Sequence, residues 1–249
     1  MGEVGVLGGK TMVSALQAPH PYGKEFVQQF LFALRLCWFP MIVASVCFTY
    51  GPAGIQAANF LNLFGAIDRL GGLFALIVVR EFAPLVCALV VAGVAGTAIC
   101  ADLGARKVRE ELDALLVLGV DPVKNLVVPR FLALMMVTGM FNIYALLFGT
   151  LGGMFVTLSN GASLGPFFAT YFNNATTTEL WGSLLKTTIF GGVIAIVCCY
   201  KGLNASGGSE GVGRAVNQAV VIAFLAIGIV NYVFTQALLA THPELSAVR

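Results

Sequence analysis

An all-α integral membrane fold is what this sequence predicts, on three observations. Of its 249 residues, 58% are hydrophobic and only 10% are charged, with a mean hydropathy of +0.90. A soluble domain carries roughly a quarter charged residues, and no packed core of this size needs so much apolar surface, so the solvent is lipid. Apolar runs long enough to cross a bilayer recur along the chain. The sparse charge gathers between them, most densely in ADLGARKVREELDALLVLGVDP, residues 101–122. The expected fold is one domain over 1–249: an N-terminal interfacial amphipathic helix, five transmembrane helices, and a short cytoplasmic coupling helix between spans two and three.

Residues 1–23 are Gly-rich and weakly polar and read as a flexible cytoplasmic tail. Gly8-Gly9-Lys10-Thr11 ends like a phosphate loop, but the Gly required five positions before the Gly-Lys pair is Val4 and no strand precedes it. Residues 24–36, KEFVQQFLFALRL, place Phe26, Val27, Phe30, Leu31 and Leu34 on one helical face and Lys24, Glu25, Gln28, Gln29 and Arg35 on the other. That is the pattern of a helix lying at the membrane surface, or of a cytoplasmic extension of the next span. No secretory signal is expected, because the first apolar run begins after residue 25 and no small-residue cleavage site follows.

Span one is expected near 38–62, with Gly51-Pro52-Ala53-Gly54 as a kink or break and Asp68-Arg69 marking an aqueous turn. Span two, 71–100, is interrupted by Arg80-Glu81. Ionisable groups inside a membrane are costly and need a partner, water or a function. Ala88, Ala92, Gly96 and Cys100 recur every four residues, a face that lets another helix approach closely. Gly104 is a plausible stop.

Residues 101–125 form a charged loop that is itself patterned. Val108, Leu112, Leu115 and Leu116 fall at helical spacing, with Arg109, Glu110, Glu111 and Asp113 between them. Gly119 suits a left-handed cap, and Asp121-Pro122 suits the N-cap and first residue of the next helix. Span three, 126–158, carries Gly149 and Gly153 as a contact face. Residues 159–178 read as a polar turn with interfacial aromatics Phe167, Phe168, Tyr171 and Phe172, and contain the triplet Asn174-Ala175-Thr176, a short match to a glycosylation site. Span four is 181–200, with Lys186 one turn inside and able to snorkel outward. A second polar loop, 201–214, leads to span five at 215–239.

With the N-terminus inside, the cytoplasm receives Lys10, Lys24, Arg35, Arg106, Lys107, Arg109, Lys124, Arg130, Lys201 and Arg214 of the 14 basic residues, and the outside only Arg69 and Arg249. The positive-inside rule therefore puts the N-terminus and both patterned loops in the cytoplasm and the C-terminus outside.

The chemistry is sparse. The 6 cysteines lie within or at the ends of apolar runs without CxxC spacing, and the 2 histidines, His20 and His242, sit in opposite tails. No metal site and no catalytic residue is expected. A net charge of +2 gives no argument for nucleic acid. Arg80-Glu81 is either an ion pair bridging helices or a polar point in a cavity that takes an amphipathic substrate, for which apolar walls favour lipid. The charged helix at 101–125 is either a wet face or a docking surface for a cytoplasmic partner. A lipid-modifying membrane enzyme and an ATP-independent transporter are the rival readings. The first lacks an obvious second catalytic group in the spans, and the second lacks the internal repeat common in that class.

The motif Arg80-Glu81-Phe82-Ala83-Pro84-Leu85, then Val91-Ala92-Gly93, then AICADLGARKVREELDALLVLGVDPVKNLVVPR, together with the later GGSEGVGRAVNQAVV, resembles the MlaE/YrbE permeases of ABC transporters that work with Mce-domain lipid-binding proteins. The wording ICADLGARKVREELDA looks most like the actinobacterial YrbE branch. The resemblance implies a plasma (inner) membrane permease subunit for lipid, with import of fatty acids, sterols or related lipids. It implies a second YrbE-type permease in a heterodimer, a cytoplasmic ABC ATPase dimer that binds ATP and Mg, and Mce-domain partners. No cofactor belongs to this chain. On this resemblance Asp102, Leu103, Arg106, Lys107, Val108, Glu110, Glu111, Leu112, Asp113 and Leu116 couple to the ATPase, and Arg80 and Glu81 lie near the lipid cavity. Val94 stands where many relatives carry a basic residue.

Overall fold

The structure is a computed structural model that describes residues 2–16 and 23–242. The described residues form α1 (Gly2–Leu16), α2 (Gly23–Leu63), α3 (Ile67–Val108), α4 (Glu111–Val117), α5 (Val123–Ser159), α6 (Leu164–Asn174), α7 (Thr177–Leu203) and α8 (Gly208–Thr241). The 5 helices α2, α3, α5, α7 and α8 are long and apolar enough to cross a membrane, and no strand occurs among the described residues. The all-α membrane class and the five spans expected from the sequence are therefore present. His20 and Arg249 lie outside the described residues.

Several expectations are corrected. Residues 2–16 are a helix rather than a tail. Its glycines disfavour helix locally, and packing decides otherwise: a Cβ on Gly8 would lie 3.3 Å from Ile196 Cδ1 of α7. α2 carries the 24–36 stretch unbroken into span one. Nothing between Lys24 and Trp38 breaks a helix, since Gly and Pro are both absent there. Gly104 does not stop α3, which runs on to Val108. The expected polar turn at 159–178 contains α6, on which Phe167 and Tyr171 are buried while Phe172 is exposed. Burial pushes the Tyr171 hydroxyl up to about 12. Asn174 is buried and donates to the Thr170 carbonyl at 2.9 Å, so its amide is not presented for modification.

The long helices contain wider π-type turns at Thr49–Ile55, Ala75–Phe82, Ala92–Gly96 and Val123–Val127. Proline lies within or just after two of them, and a third begins directly after one. Pro52 lies inside the first, Pro84 follows the second, and Pro122 precedes the fourth. A residue without an N–H cannot close the ordinary i to i−4 bond, so the ladder re-registers around it. The Gly-Pro segment of span one thus widens the helix without breaking it.

Packing divides the chain into two compact units. The first comprises Met1–Cys37, Ala88–Thr138 and Thr188–Val230. Here α3 and α7 meet closely: a Cβ on Gly96 would lie 2.9 Å from Cys198 Sγ, and one on Gly202 would lie 2.8 Å from the Cys100 carbonyl oxygen. Cys100, Cys198 and Cys199 are buried free thiols that serve as small apolar groups. Ala88 and Ala92 are fully buried. The second unit comprises Trp38–Cys87, Gly139–Thr187 and Asn231–Arg249. In it Gly153 faces the rings of Phe74 and Phe167, Gly149 faces Val78 and Thr49, and Gly71 lies against the Phe167 backbone with no room for a side chain.

Candidate functional site

Two groups of side chains stand out, one in each unit. In the first unit the coupling segment is built by three local devices. α3 ends at Val108, and Glu110 then takes φ 59°, the only left-handed non-glycine among the described residues. That conformation costs about 1 kcal/mol or more for an L-residue. It separates Val108 from Leu112, so the expected stripe is split over two helices and α4 starts only at Glu111. Gly119, at φ 75°, closes α4, with its N–H on the Leu116 carbonyl at 3.0 Å and the Val120 N–H on Leu115 at 2.9 Å. Asp121 then caps α5, accepting from the Val123 N–H at 2.9 Å.

Several charges of this segment pair with one another, and Asp102 reaches beyond it. Lys107 donates to both oxygens of Asp113 at 3.0 and 3.1 Å, and Arg109 to Glu111 at 2.7 Å. Asp102 accepts from Arg106 Nε at 3.2 Å and from the fully buried Arg130 at 2.7 Å. Arg130 also donates to the Leu126 carbonyl at 2.8 Å and lies 3.7 Å from Glu25. The last turns of α3 are thereby bolted to the second turn of α5. Leu103 is fully buried and Leu112 nearly so, so both belong to the core and present no surface to a partner. Outward stand Val108, Leu116, Val117 and Leu118, the last three at 59%, 88% and 75% exposure. Val117 and Leu118 were missed in the sequence, because the helical stripe that selects Leu112 and Leu116 leaves them off-face.

In the second unit Arg80 and Glu81 sit in the π-type turn of α3, and they are not each other's partners. Arg80 pairs with the buried Glu179 at the start of α7. Glu81 accepts from Asn231 Nδ2 and Thr235 Oγ1 of α8, both at 2.8 Å, and from Lys186 of α7 at 3.3 Å. Lys186 does not snorkel: it is 2% exposed and also donates to the Arg80 carbonyl at 2.7 Å and to Thr235 at 3.2 Å. The cluster spans three helices. It holds two cations against two carboxylates, so the buried charge is balanced, as a low-dielectric setting demands. The Glu81 side chain keeps 30% exposure. Glu179, Asn231 and Thr235 were not singled out in the sequence. Their polarity inside or beside an apolar run was the available signal, but nothing local says which of them meet.

A family model described as permease MlaE matches residues 26–237. The chain is similar to a "Probable ABC transporter permease protein" of Synechocystis, 38% identical over 72% of this chain and 68% of that protein. It is similar to another so named from Rickettsia typhi, 30% identical over 91% of this chain and 87% of that one. The "Intermembrane phospholipid transport system permease protein MlaE" of Haemophilus influenzae is 30% identical over 73% of this chain and 70% of its own length. The family match runs from the first turns of α2 to the last turns of α8 and includes both side-chain groups. The chain belongs to the MlaE permease family and is a multi-pass membrane transport permease rather than an enzyme.

Proposed function

We infer that this chain is the membrane subunit of an ABC-type lipid transporter, driven by a separate ATPase that docks on the α3–α4–α5 segment. The names of its relatives, ABC transporter permease and intermembrane phospholipid transport permease, support the class and the cargo. One observation in the structure carries the coupling role: exposed Leu116, Val117 and Leu118 stand on a short helix joined to α5 by the Asp121 cap. An apolar patch next to paired charges suits a protein partner. A push on α4 would pass along covalent and hydrogen-bonded connections into a span.

In this reading Asp102, Arg106, Lys107, Val108, Glu110, Glu111, Asp113 and Leu116 form or flank the docking face, and Leu103 and Leu112 support it from the core. ATP and Mg are bound by the ATPase dimer. The cargo site includes Glu81, and a buried acceptor beside it, Asn231 Oδ1, has no hydrogen-bond partner among the described residues. A polar lipid headgroup with a donor would satisfy that atom. Partnership with a second YrbE-type permease and with Mce-domain proteins, import of fatty acids or sterols, and the actinobacterial branch are carried by the motif wording at 98–130. The same reading places the chain in the plasma membrane, N-terminus inside and C-terminus outside, on the charge distribution.

The test is co-purification with the ATPase. Leu116→Asp and Val117→Asp are expected to release it while the permease still inserts in the membrane. Retention of the ATPase by both variants contradicts the docking role.

A further inference from the structure

α1 lies wholly before the family match, which starts at residue 26, and the permease reading leaves its purpose open. Its packing is specific. Val4, Leu7, Gly8 and Thr11 form a continuous helical stripe that is half-buried to buried, whereas Gly9, Lys10, Met12 and Val13 are exposed. Gly8 lies against Ile196 of α7, and the Tyr200 hydroxyl, one turn further along α7, donates to Glu3. α1 also lies against residues 123–127, the π-type first turn of α5, and Lys10 stands 3.7 Å from Asp121. The phosphate-loop look-alike Gly8-Gly9-Lys10-Thr11 is thus a contact motif. Gly8 permits close approach, Thr11 is fully buried with its hydroxyl on the Leu7 carbonyl at 2.7 Å, and Lys10 reaches the cap of α5.

We propose that α1 is an intramolecular brace that holds the α4–α5 hinge, Gly119–Val127, in one position against the end of α7, and that its release frees the coupling segment to turn. The hinge has the marks of a movable joint: a left-handed glycine, a side-chain cap, and a widened turn whose bonds are not those of a regular helix. The brace touches two of its parts, the Asp121 cap and the widened turn, and ties them to a different span. The exposed ion pair contributes little by itself, so the buried stripe carries the attachment. The consequence for transport rests on the ATPase-driven reading above; the bracing itself does not.

The experiment compares two arginine substitutions on opposite faces of α1, in the full chain purified in lipid nanodiscs without any ATPase. Thr11→Arg places a charge in the buried face and drives α1 off. Gly9→Arg adds the same charge on the outward face, where no other atom lies within 4 Å of a Cβ. Hydrogen exchange of the amides of residues 119–127 is measured in each. Thr11→Arg is expected to speed exchange at least about threefold, and Gly9→Arg to leave it unchanged. Equal exchange in wild type, Thr11→Arg and a chain lacking residues 2–16 overturns the brace, as does an equal rise in both arginine variants. Because no ATPase is present, such a failure is distinct from a failure of ATPase docking, which the co-purification reads separately.

Discussion

Lys186 donates a 2.7 Å hydrogen bond to the carbonyl of Arg80, the carbonyl four residues before Pro84. Proline has no amide hydrogen for that oxygen, so an ammonium from a helix about a hundred residues away supplies the donor. The same ammonium neutralises Glu81, the next residue along. One sequence feature, Arg-Glu followed by a proline three residues after Glu81, therefore creates two acceptors, and Lys186 meets both.

Lys186→Met is expected to lower the stability of the purified chain by about 2 kcal/mol, since it leaves Glu81 short of its cation and the Arg80 carbonyl short of a donor. Thermal unfolding in detergent reads the change. A double-mutant cycle with Glu81→Gln should show coupling, with the pair of substitutions costing less than the sum of the two. Strict additivity would mean that the contact carries no energy.

Glu81→Ala is expected to reduce the lipid that co-purifies with the permease and to lower ATP-driven lipid movement in proteoliposomes. Thr235→Val, which keeps the shape and removes one donor to Glu81, should give a smaller effect in the same direction. Unchanged lipid content and unchanged transport in Glu81→Ala would leave the cluster a purely structural bridge.

At the coupling segment, Glu110→Gly should leave stability unchanged or raise it, because glycine occupies the left-handed region freely. Glu110→Val, branched at Cβ, should lower it by about 1 kcal/mol or more at the same position. Equal melting temperatures for the two variants would show that the left-handed turn is not retained in the protein.

The topology has a direct label. Ser206 is exposed in the loop between α7 and α8, whereas its neighbour Ala205 is 6% exposed and a poor site. In a background with the exposed Cys47 changed to Ser, Ser206→Cys is expected to react with an impermeant maleimide only after cells are opened. Reaction in intact cells would reverse the orientation.

The parts of the molecule that local composition determines were legible in the sequence. The five spans follow from apolar runs, and the Gly119 stop and Asp121-Pro122 start sit where turn chemistry put them. The parts that depend on distant partners were not. Arg80 and Glu81 are neighbours, which invites an ion pair between them, yet their partners are Glu179 and Lys186, brought in by the packing of α3 and α7. The left-handed Glu110 carries no local signal, because glycine is the residue that announces such a turn. α1 and α6 read as tail and turn because glycine, serine and asparagine are weak helix formers, and tertiary contacts overrode that weakness. Leu103 illustrates the remaining difficulty: a motif selects it with its charged neighbours, but only the fold shows that it faces inward.

The central claim is a lipid permease worked by a separate ATPase through the α3–α4–α5 segment. Mass spectrometry of the intact complex, purified from its own membrane with lipids retained, tests it most directly. The expected spectrum contains permease and ATPase chains together with bound lipid, loses the ATPase in Leu116→Asp, and loses lipid in Glu81→Ala. A permease that carries neither an ATPase nor lipid, or one whose ATPase and lipid survive both substitutions, contradicts the account.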